Sequence, residues 1–332
     1  MKVAIFAAGT GGHIFPALSI AEKFRKENVL FFASSRDVEK KIYKQSGYNV
    51  KHLDLSGFRG KNLISKIIWL INFPFIFLTS LIYLQRFKPE KIILMGGYIS
   101  LVGYLTSFFS KADLYIHEQN SVLGSANKIA SKKAKKVFSG FPLGLDNEIY
   151  VGNPIRNEFK NSSYTKIKIK KYILVMGGSQ GSGFMIDHLP KTINLLAKKY
   201  KIIFQTGKNH HPKLENFEFI DFIDDLSGVM KEAKFVICRA GALTVSEVQT
   251  YGIPAIFIPL ANSVNNHQLL NAESACSDGG GLVMKEVEFF ERNAEKKILS
   301  FAERDMNELS KNMKKDLHLD AAQRIFNEIK QN

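Results

Sequence analysis

Only two cysteines occur in the chain, Cys238 and Cys276, far apart and without metal-type spacing. That excludes a disulfide framework and a cysteine-based zinc site. The residues after Met1 run at once into an apolar, strand-like stretch with no charged-then-apolar leader, so a cytosolic protein is expected. Two nucleotide fingerprints are missing as well. No G-x-x-x-x-G-K-[ST] segment exists, and "GTGGHI" (9–14) departs from G-x-G-x-x-G because Ile14 stands at the third glycine position. An ordinary P-loop ATPase or NAD enzyme is therefore disfavoured. Asp-x-Asp, the pair with which many sugar-nucleotide enzymes hold a divalent metal, is absent too. A bound diphosphate would have to be neutralised by backbone dipoles and side chains.

Acid is also in short supply: 31 Asp+Glu against 46 Lys+Arg give a net charge of +15. The excess is concentrated in residues 1–150, which hold 21 basic and 10 acidic residues, against 25 and 21 in the remainder. A basic half suggests an anionic partner, whether nucleic acid, acidic lipid or phosphate; drift of an AT-rich genome towards lysine leaves the same trace.

What is present is a regular alternation. At 332 residues the chain exceeds the size at which one core usually keeps growing, so two domains are expected. Short β-rich runs at 2–7, 29–34, 49–55, 91–96, 114–118 and 136–140 are separated by helical stretches. The polar, Lys-rich "KNSSYTKIKIKK" (160–171) interrupts the pattern as a domain boundary does. It restarts with strands at 172–178, 201–207, 217–222, 234–239 and 254–259, and the last ~30 residues read as amphipathic helix. Continuous apolar strands alternating with helices mean parallel sheets covered on both faces. The fold class is thus α/β, with two doubly wound Rossmann-like domains over 1–157 and 158–332. In such sheets ligands bind at the carboxyl ends of the strands, at a topological switch point, so a cleft where the two sets of ends face each other is the expected site.

"IIWLINFPFIFLTSLIYL" (67–84) is 18 residues without a charge, close to the minimum for spanning a bilayer. Pro74, Asn72 and the nearby Lys66 and Arg86 speak against a span. Two other readings stand beside it: a core helix kinked by Pro74, and an apolar patch that dips into a membrane surface, ringed by Lys61, Lys66, Arg86 and Lys88.

Three glycine-rich segments each follow a strand: "GTGGH" (9–13), "GGYIS" (96–100) and "GGSQGSG" (177–183). Glycine lets backbone N–H groups approach a ligand and the following helix adds its positive end, which together bind anions such as phosphate. Tight strand–helix packing accounts for one such loop equally well, but less readily for three. In "GALTVSE" (241–247), Glu247 lies one turn into a helix, where it either favours the helix N-terminus or accepts two ribose hydroxyls. Arg156 in "VGNPIR" could pair with phosphate through its fork of donors or simply lie on the surface. His13 is either a general base or a loop-stabilising or phosphate-binding donor.

Taken together, "GTGGHIFPAL", "GGYIS", "HEQNSVLGSANK", "GNPIR", "GGSQGS", "FIDDL", "CRAGALTVSE", "GIPAIFIP" and "HQLLNA" resemble the MurG family. These are the lipid-linked muramoyl-pentapeptide N-acetylglucosaminyltransferases of bacterial peptidoglycan synthesis, in the GT-B superfamily. The resemblance implies a GT-B fold, its two domains facing across a cleft. It implies inverting transfer of GlcNAc from UDP-GlcNAc to the muramoyl 4-hydroxyl of undecaprenyl-linked lipid I, with no cofactor, no metal and no nucleic-acid partner. It places the enzyme as a peripheral protein on the cytoplasmic face of the cell membrane, against an anionic surface. The first domain would take the acceptor and the membrane, the second UDP-GlcNAc. Carried over residue by residue, it implies that Thr10, Gly11 and Gly12 lie beside sugar and diphosphate, with His13 as candidate base. Asn120 and Gln268 would bond GlcNAc hydroxyls, Ser179 a phosphate, and Arg156 would sit near the nucleotide. Ile223 would hold the uracil edge, and Glu247, within Ala242, Leu243, Thr244, Val245, Ser246 and Glu247, the ribose hydroxyls. Two departures stand out: "LVG" (101–103) replaces the family's usual Gly-Pro after "GGY-x-S", and "NSVNNHQ" (262–268) is about one residue long. A glycolipid glycosyltransferase, a UDP-GlcNAc 2-epimerase and a non-catalytic nucleotide-sugar-binding protein are the alternatives.

Overall fold

Thirteen strands make two wholly parallel sheets in the computed structural model, which describes residues 1–9, 11–55, 62–159, 164, 172–178, 181–209, 211, 213–291 and 293–331. In the first sheet run β1 (Val3–Phe6), β2 (Val29–Ser34), β3 (Asn49–Leu53), β4 (Lys91–Leu94), β5 (Asp113–Glu118), β6 (Lys136–Ser139) and β7 (Glu148–Tyr150). Their order is β3-β2-β1-β4-β5-β6-β7. The second sheet holds β8 (Tyr172–Met176), β9 (Lys201–Gln205), β10 (Phe217–Ile220), β11 (Ala233–Cys238), β12 (Ala255–Phe257) and β13 (Gly281–Val283), ordered β10-β9-β8-β11-β12-β13. Central strands such as β1, β2, β4 and β8 are buried along their whole length, because helices cover both faces and no alternate residue has to meet water. The edge strands β7 and β13 escape the sequence reading; each has three residues, too few to show a period.

Strand order reverses between β1 and β4 in one sheet and between β8 and β11 in the other. These are the switch points at which doubly wound sheets bind ligands. The segments leaving them are "AAGTGGH" after β1, "MGGYIS" after β4, "GGSQGSG" after β8 and "RAGALTVSE" after β11. Topology thus puts the glycine-rich and hydroxyl-rich motifs where the fold binds ligands.

The chain divides into two compact units, Met1–Arg156 with Leu317–Asn332, and Asn157–Asp316. This corrects the assignment of the whole C-terminal stretch to the second domain. It is not one helix but two, Met306–Met313 and Ala321–Gln331, separated by the short turn Asp316–His318. The last helix buries Ala322, Ile325 and Ile329 with Ile14, Ala17, Ile20 and Phe24 of the first unit. Phe326 meets Phe24 edge-on, ring centroids 5.0 Å apart. Amphipathicity shows that a helix has a face to bury, not which core receives it.

The helix Leu63–Phe87 continues through Pro74. Ile76, Ser80 and Leu84 are buried, and the helix packs on β3 and on the helix Gly97–Thr106. Its other side is open: Ile67, Ile68, Leu70, Ile71, Phe75 and Leu78 are each about half exposed or more. Lys61 lies outside the described residues.

Candidate active site

In the first unit, Gly11, Gly12 and His13 form the first turn of the helix Gly11–Ala21, directly after β1. Two anchors hold the approach to this turn. The carboxylate of Glu39, fully buried, accepts from Gly9 N–H at 2.9 Å and from the Ser34 hydroxyl at 2.6 Å. Tyr43 donates to the Ala7 carbonyl at 2.8 Å, and burial, helped by Glu39, raises its pKa far above the ordinary phenol value.

The His13 ring lies against glycine backbone. A Cβ on Gly96, whose φ is +95°, would stand 3.1 Å from His13 Cε1; one on Gly9 would stand 3.4 Å from Cδ2, and one on Gly97 3.8 Å from Nε2. The "GTGG" and "GGY" loops thus make room for a protein side chain as well as for any ligand.

Behind His13 stands a buried polar chain at the carboxyl end of β5. His13 Nδ1 lies 2.7 Å from Gln119 Oε1, and Gln119 Nε2 lies 2.8 Å from His117 Nδ1. His117 is fully buried, and burial, reinforced by nearby His13, pushes its pKa down to about 4, so the ring stays neutral. Next to it the Glu118 carboxylate accepts from the backbone and side-chain amides of Asn120, both at 3.1 Å. It also accepts from Gly124 N–H and Asn127 Nδ2, both at 3.0 Å. Asn120, the expected sugar contact, is therefore fixed in place by its neighbour. Asn153 donates from Nδ2 to the Gln119 carbonyl at 2.9 Å and from its backbone to His318 Nδ1 at 2.9 Å. Arg156, half-buried, ends the first of the two stretches that make up this unit.

In the second unit Ser182 caps the helix Gly183–Thr192. Arg239, on the segment after β11, donates to the Ser182 hydroxyl at 2.7 Å and to the Ile258 carbonyl at 3.1 Å, and pairs with Glu286 at 2.6 Å. One buried guanidinium so joins the glycine-rich loop to the start of "RAGALTVSE". The helix Ala242–Tyr251 starts at Gly241 with no capping side chain, leaving its first N–H groups unclaimed by a cap. Glu247 is 5% exposed. Leu243 and Thr244 are half-buried, whereas Val245 is in the interior and the Ser246 hydroxyl bonds back to the Ala242 carbonyl at 2.9 Å. Gln268 accepts from Leu260 N–H at 3.0 Å, on the helix His267–Cys276, which packs on Ala242–Tyr251. Just ahead of the helix His267–Cys276, Asn265 and Asn266 are both in the left-handed region. Ile223, buried, follows β10, two strands from β8. Thr10 and Ser179 lie outside the described residues.

The structure therefore gathers His13 with the "HEQN" strand end, and Gln268 with the "ALTVSE" helix. Sequence reasoning passed over Gln119, Glu118, Asn153, His318 and Arg239. For Glu118 and Gln119 the available signal was the polar run that follows the apolar "LYI" of β5, since groups buried there must be hydrogen-bonded; Asn153, His318 and Arg239 had no such local signal.

Residues 3–139 match the glycosyltransferase family 28 N-terminal domain and residues 172–329 the family 28 C-terminal domain. The UDP-N-acetylglucosamine--N-acetylmuramyl-(pentapeptide) pyrophosphoryl-undecaprenol N-acetylglucosamine transferase of Burkholderia pseudomallei (strain 1106a) is 33% identical over 303 residues, covering 85% of this chain and 83% of that one. The crystal structure of Acinetobacter baumannii MurG aligns over 100% of both chains with TM-score 0.78 and 25% identity. The glycosyltransferase of kitacinnamycin, at 12% identity and TM-score 0.70 over 99% of both chains, shares the fold. The chain has the GT-B fold and belongs to glycosyltransferase family 28, among the MurG-type N-acetylglucosamine transferases.

Proposed function

We propose that this chain transfers GlcNAc from UDP-GlcNAc to the muramoyl 4-hydroxyl of undecaprenyl-linked lipid I, with inversion, giving lipid II. The observation that carries the reading is the coincidence of two things. A relative named as an N-acetylglucosamine transferase covers 85% of the chain, and the four loops that carry this chain's resemblance to the family leave the strands at the two switch points.

In this reading the reaction is a single displacement. His13 removes the proton of the acceptor hydroxyl as its oxygen attacks the anomeric carbon, a role that typically contributes ~10²–10⁴-fold. UDP leaves with its charge met by helix N-termini, Ser179 and Arg156; preorganised dipoles of this kind usually supply the largest catalytic contribution. Thr10, Gly11 and Gly12 lie beside sugar and diphosphate, Asn120 and Gln268 hold GlcNAc hydroxyls, Ile223 the uracil edge, and the Ala242–Glu247 turn the ribose, with Glu247 as acceptor of its hydroxyls.

The enzyme works as a peripheral protein at the cytoplasmic face of the membrane. Ile67–Phe87 has a mean hydropathy of 2.1 and is long enough to span, yet Ile76 and Leu84 are part of the first unit's core. A helix held on one side by its own domain presents the other to the bilayer surface. Basic residues near an anionic leaflet add about 1 kcal/mol each, which gives the positive first half a purpose.

The test is UDP release from UDP-GlcNAc with and without a lipid I analogue. Acceptor-dependent release with a β-linked disaccharide product is the expected result. Release without acceptor would indicate an epimerase, and binding without release a non-catalytic protein. His13→Ala should keep donor binding and lose at least ~10²-fold in turnover; near-parent turnover would remove His13 as the base.

A further inference from the structure

We propose that Gln119 is a positioning residue that holds His13 in the tautomer whose Nε2 lone pair receives the acceptor's proton. The proposal rests on the reading of His13 as the base. It follows from donors and acceptors inside the first unit. The His117 carbonyl can only accept, and Gln119 Nε2 lies 3.2 Å from it, so the amide turns its NH₂ end to His117 and its oxygen to His13. That oxygen, 2.7 Å from His13 Nδ1, is also only an acceptor. The neutral His13 ring therefore carries its proton on Nδ1 and its lone pair on Nε2. The same NH₂ group donates to His117 Nδ1 at 2.8 Å, which places the proton of His117 on Nε2, facing the Gly152 carbonyl at 3.4 Å.

Every link is anchored. Gln119 is 1% exposed, its carbonyl accepts from Asn153 Nδ2, and Gly96 backs the His13 ring at the Cε1 and Nδ1 edge. Gly97, which faces Nε2, has no side chain to occupy the space an acceptor hydroxyl needs. In the transfer, the hydroxyl proton passes to Nε2. The oxygen's electron pair forms the bond to the anomeric carbon, and the bond from that carbon to the diphosphate breaks, its pair leaving on UDP. The resulting imidazolium donates from Nδ1 to Gln119 in a charge-assisted hydrogen bond, stronger than the neutral one it replaces.

Long-range ¹H–¹⁵N NMR of the histidine rings in the labelled parent protein, with His13→Ala identifying the resonances, reads the tautomer directly. The expected result is a neutral His13 protonated on Nδ1; a proton on Nε2 overturns the proposal. Gln119→Met, which removes the acceptor, should spread His13 over both tautomers. It should lower kcat about 10- to 100-fold, as misplaced catalytic groups do, while donor KM stays within about twofold. Gln119→Glu, whose protonated carboxyl keeps an acceptor towards His13 Nδ1 and a donor towards His117, should recover the tautomer and more of kcat than Gln119→Met. Parent-like kcat in a folded Gln119→Met whose His13 has changed tautomer overturns the role. If neither variant folds, the parent spectrum still decides. Near-parent turnover of His13→Ala would instead sink the base reading and leave the tautomer measurement intact.

Discussion

Gly96 shows what a single residue contributes. Its φ of +95° excludes ordinary side chains, and a Cβ there would press on His13 Cε1 at 3.1 Å and Asn127 Nδ2 at 3.3 Å. Gly96→Ala should cost about 1–3 kcal/mol from the backbone conformation alone, since with ψ at −177° Gly96 lies in a region essentially reserved for glycine, lowering the melting temperature by several degrees. Displacement of His13 should lower kcat at least tenfold at unchanged donor KM. A lower melting temperature with parent kcat would separate this glycine from the base. At this scale the sequence was legible in place and incomplete in reason: three loops were marked as ligand-approach sites, yet part of the space two of them leave is filled by His13. Gln119 and Arg239 were passed over because a hydrogen bond across the fold leaves no trace in local spacing.

Helix Leu63–Phe87 decides a question at the scale of elements. Periodicity left span, core and surface patch open, because all three use a long uncharged run. Burial sorts the residues: Trp69 and Phe73, partly buried, stack on each other at 4.8 Å and pack against the core, whereas Ile67, Ile71, Phe75 and Leu78 point away from it. Replacing those four by glutamine or serine should leave stability within about 1 kcal/mol, since exposed positions contribute little to folding. The same variant should lose sedimentation with anionic phospholipid vesicles. Binding equal to the parent would refute membrane docking by this face. The neighbouring Phe108 and Phe109, both more than half exposed, with Lys133 3.7 Å over the Phe108 ring, extend the same face and its charge.

For the whole molecule, the decisive feature is the return of the chain to the first unit. Deleting 317–332 strips Ala322, Ile325 and Ile329 from that unit's core and His318 from Asn153. Limited proteolysis of the truncated chain should degrade residues 1–156 and spare 157–316; equal resistance of both would contradict this packing.

Burial also writes a pH dependence into the first unit. His117 and His318 are held down to about 4 and about 3, below the ordinary 6.5. Below pH 6.5 the unfolded chain binds protons that the folded chain refuses. Stability is therefore complete above that pH and falls as pH drops towards 4, by up to about 1.4 kcal/mol per pH unit for each histidine. His318→Gln keeps an acceptor for Asn153 N–H and removes one titration. Chemical denaturation of the variant between pH 6.5 and 4 should show a shallower slope than the parent.

The sequence by itself determined the class of fold, the count of central strands, the loops at the switch points and the family. Each is written in local pattern: apolar runs, glycines after strands, and motifs in order. Tertiary structure alone decided which core the last helix completes, which side of Leu63–Phe87 remains open, and that Gln119 stands between His13 and His117. Those facts depend on which buried surfaces and polar groups meet across the fold, because a buried donor must find an acceptor wherever the packing supplies one.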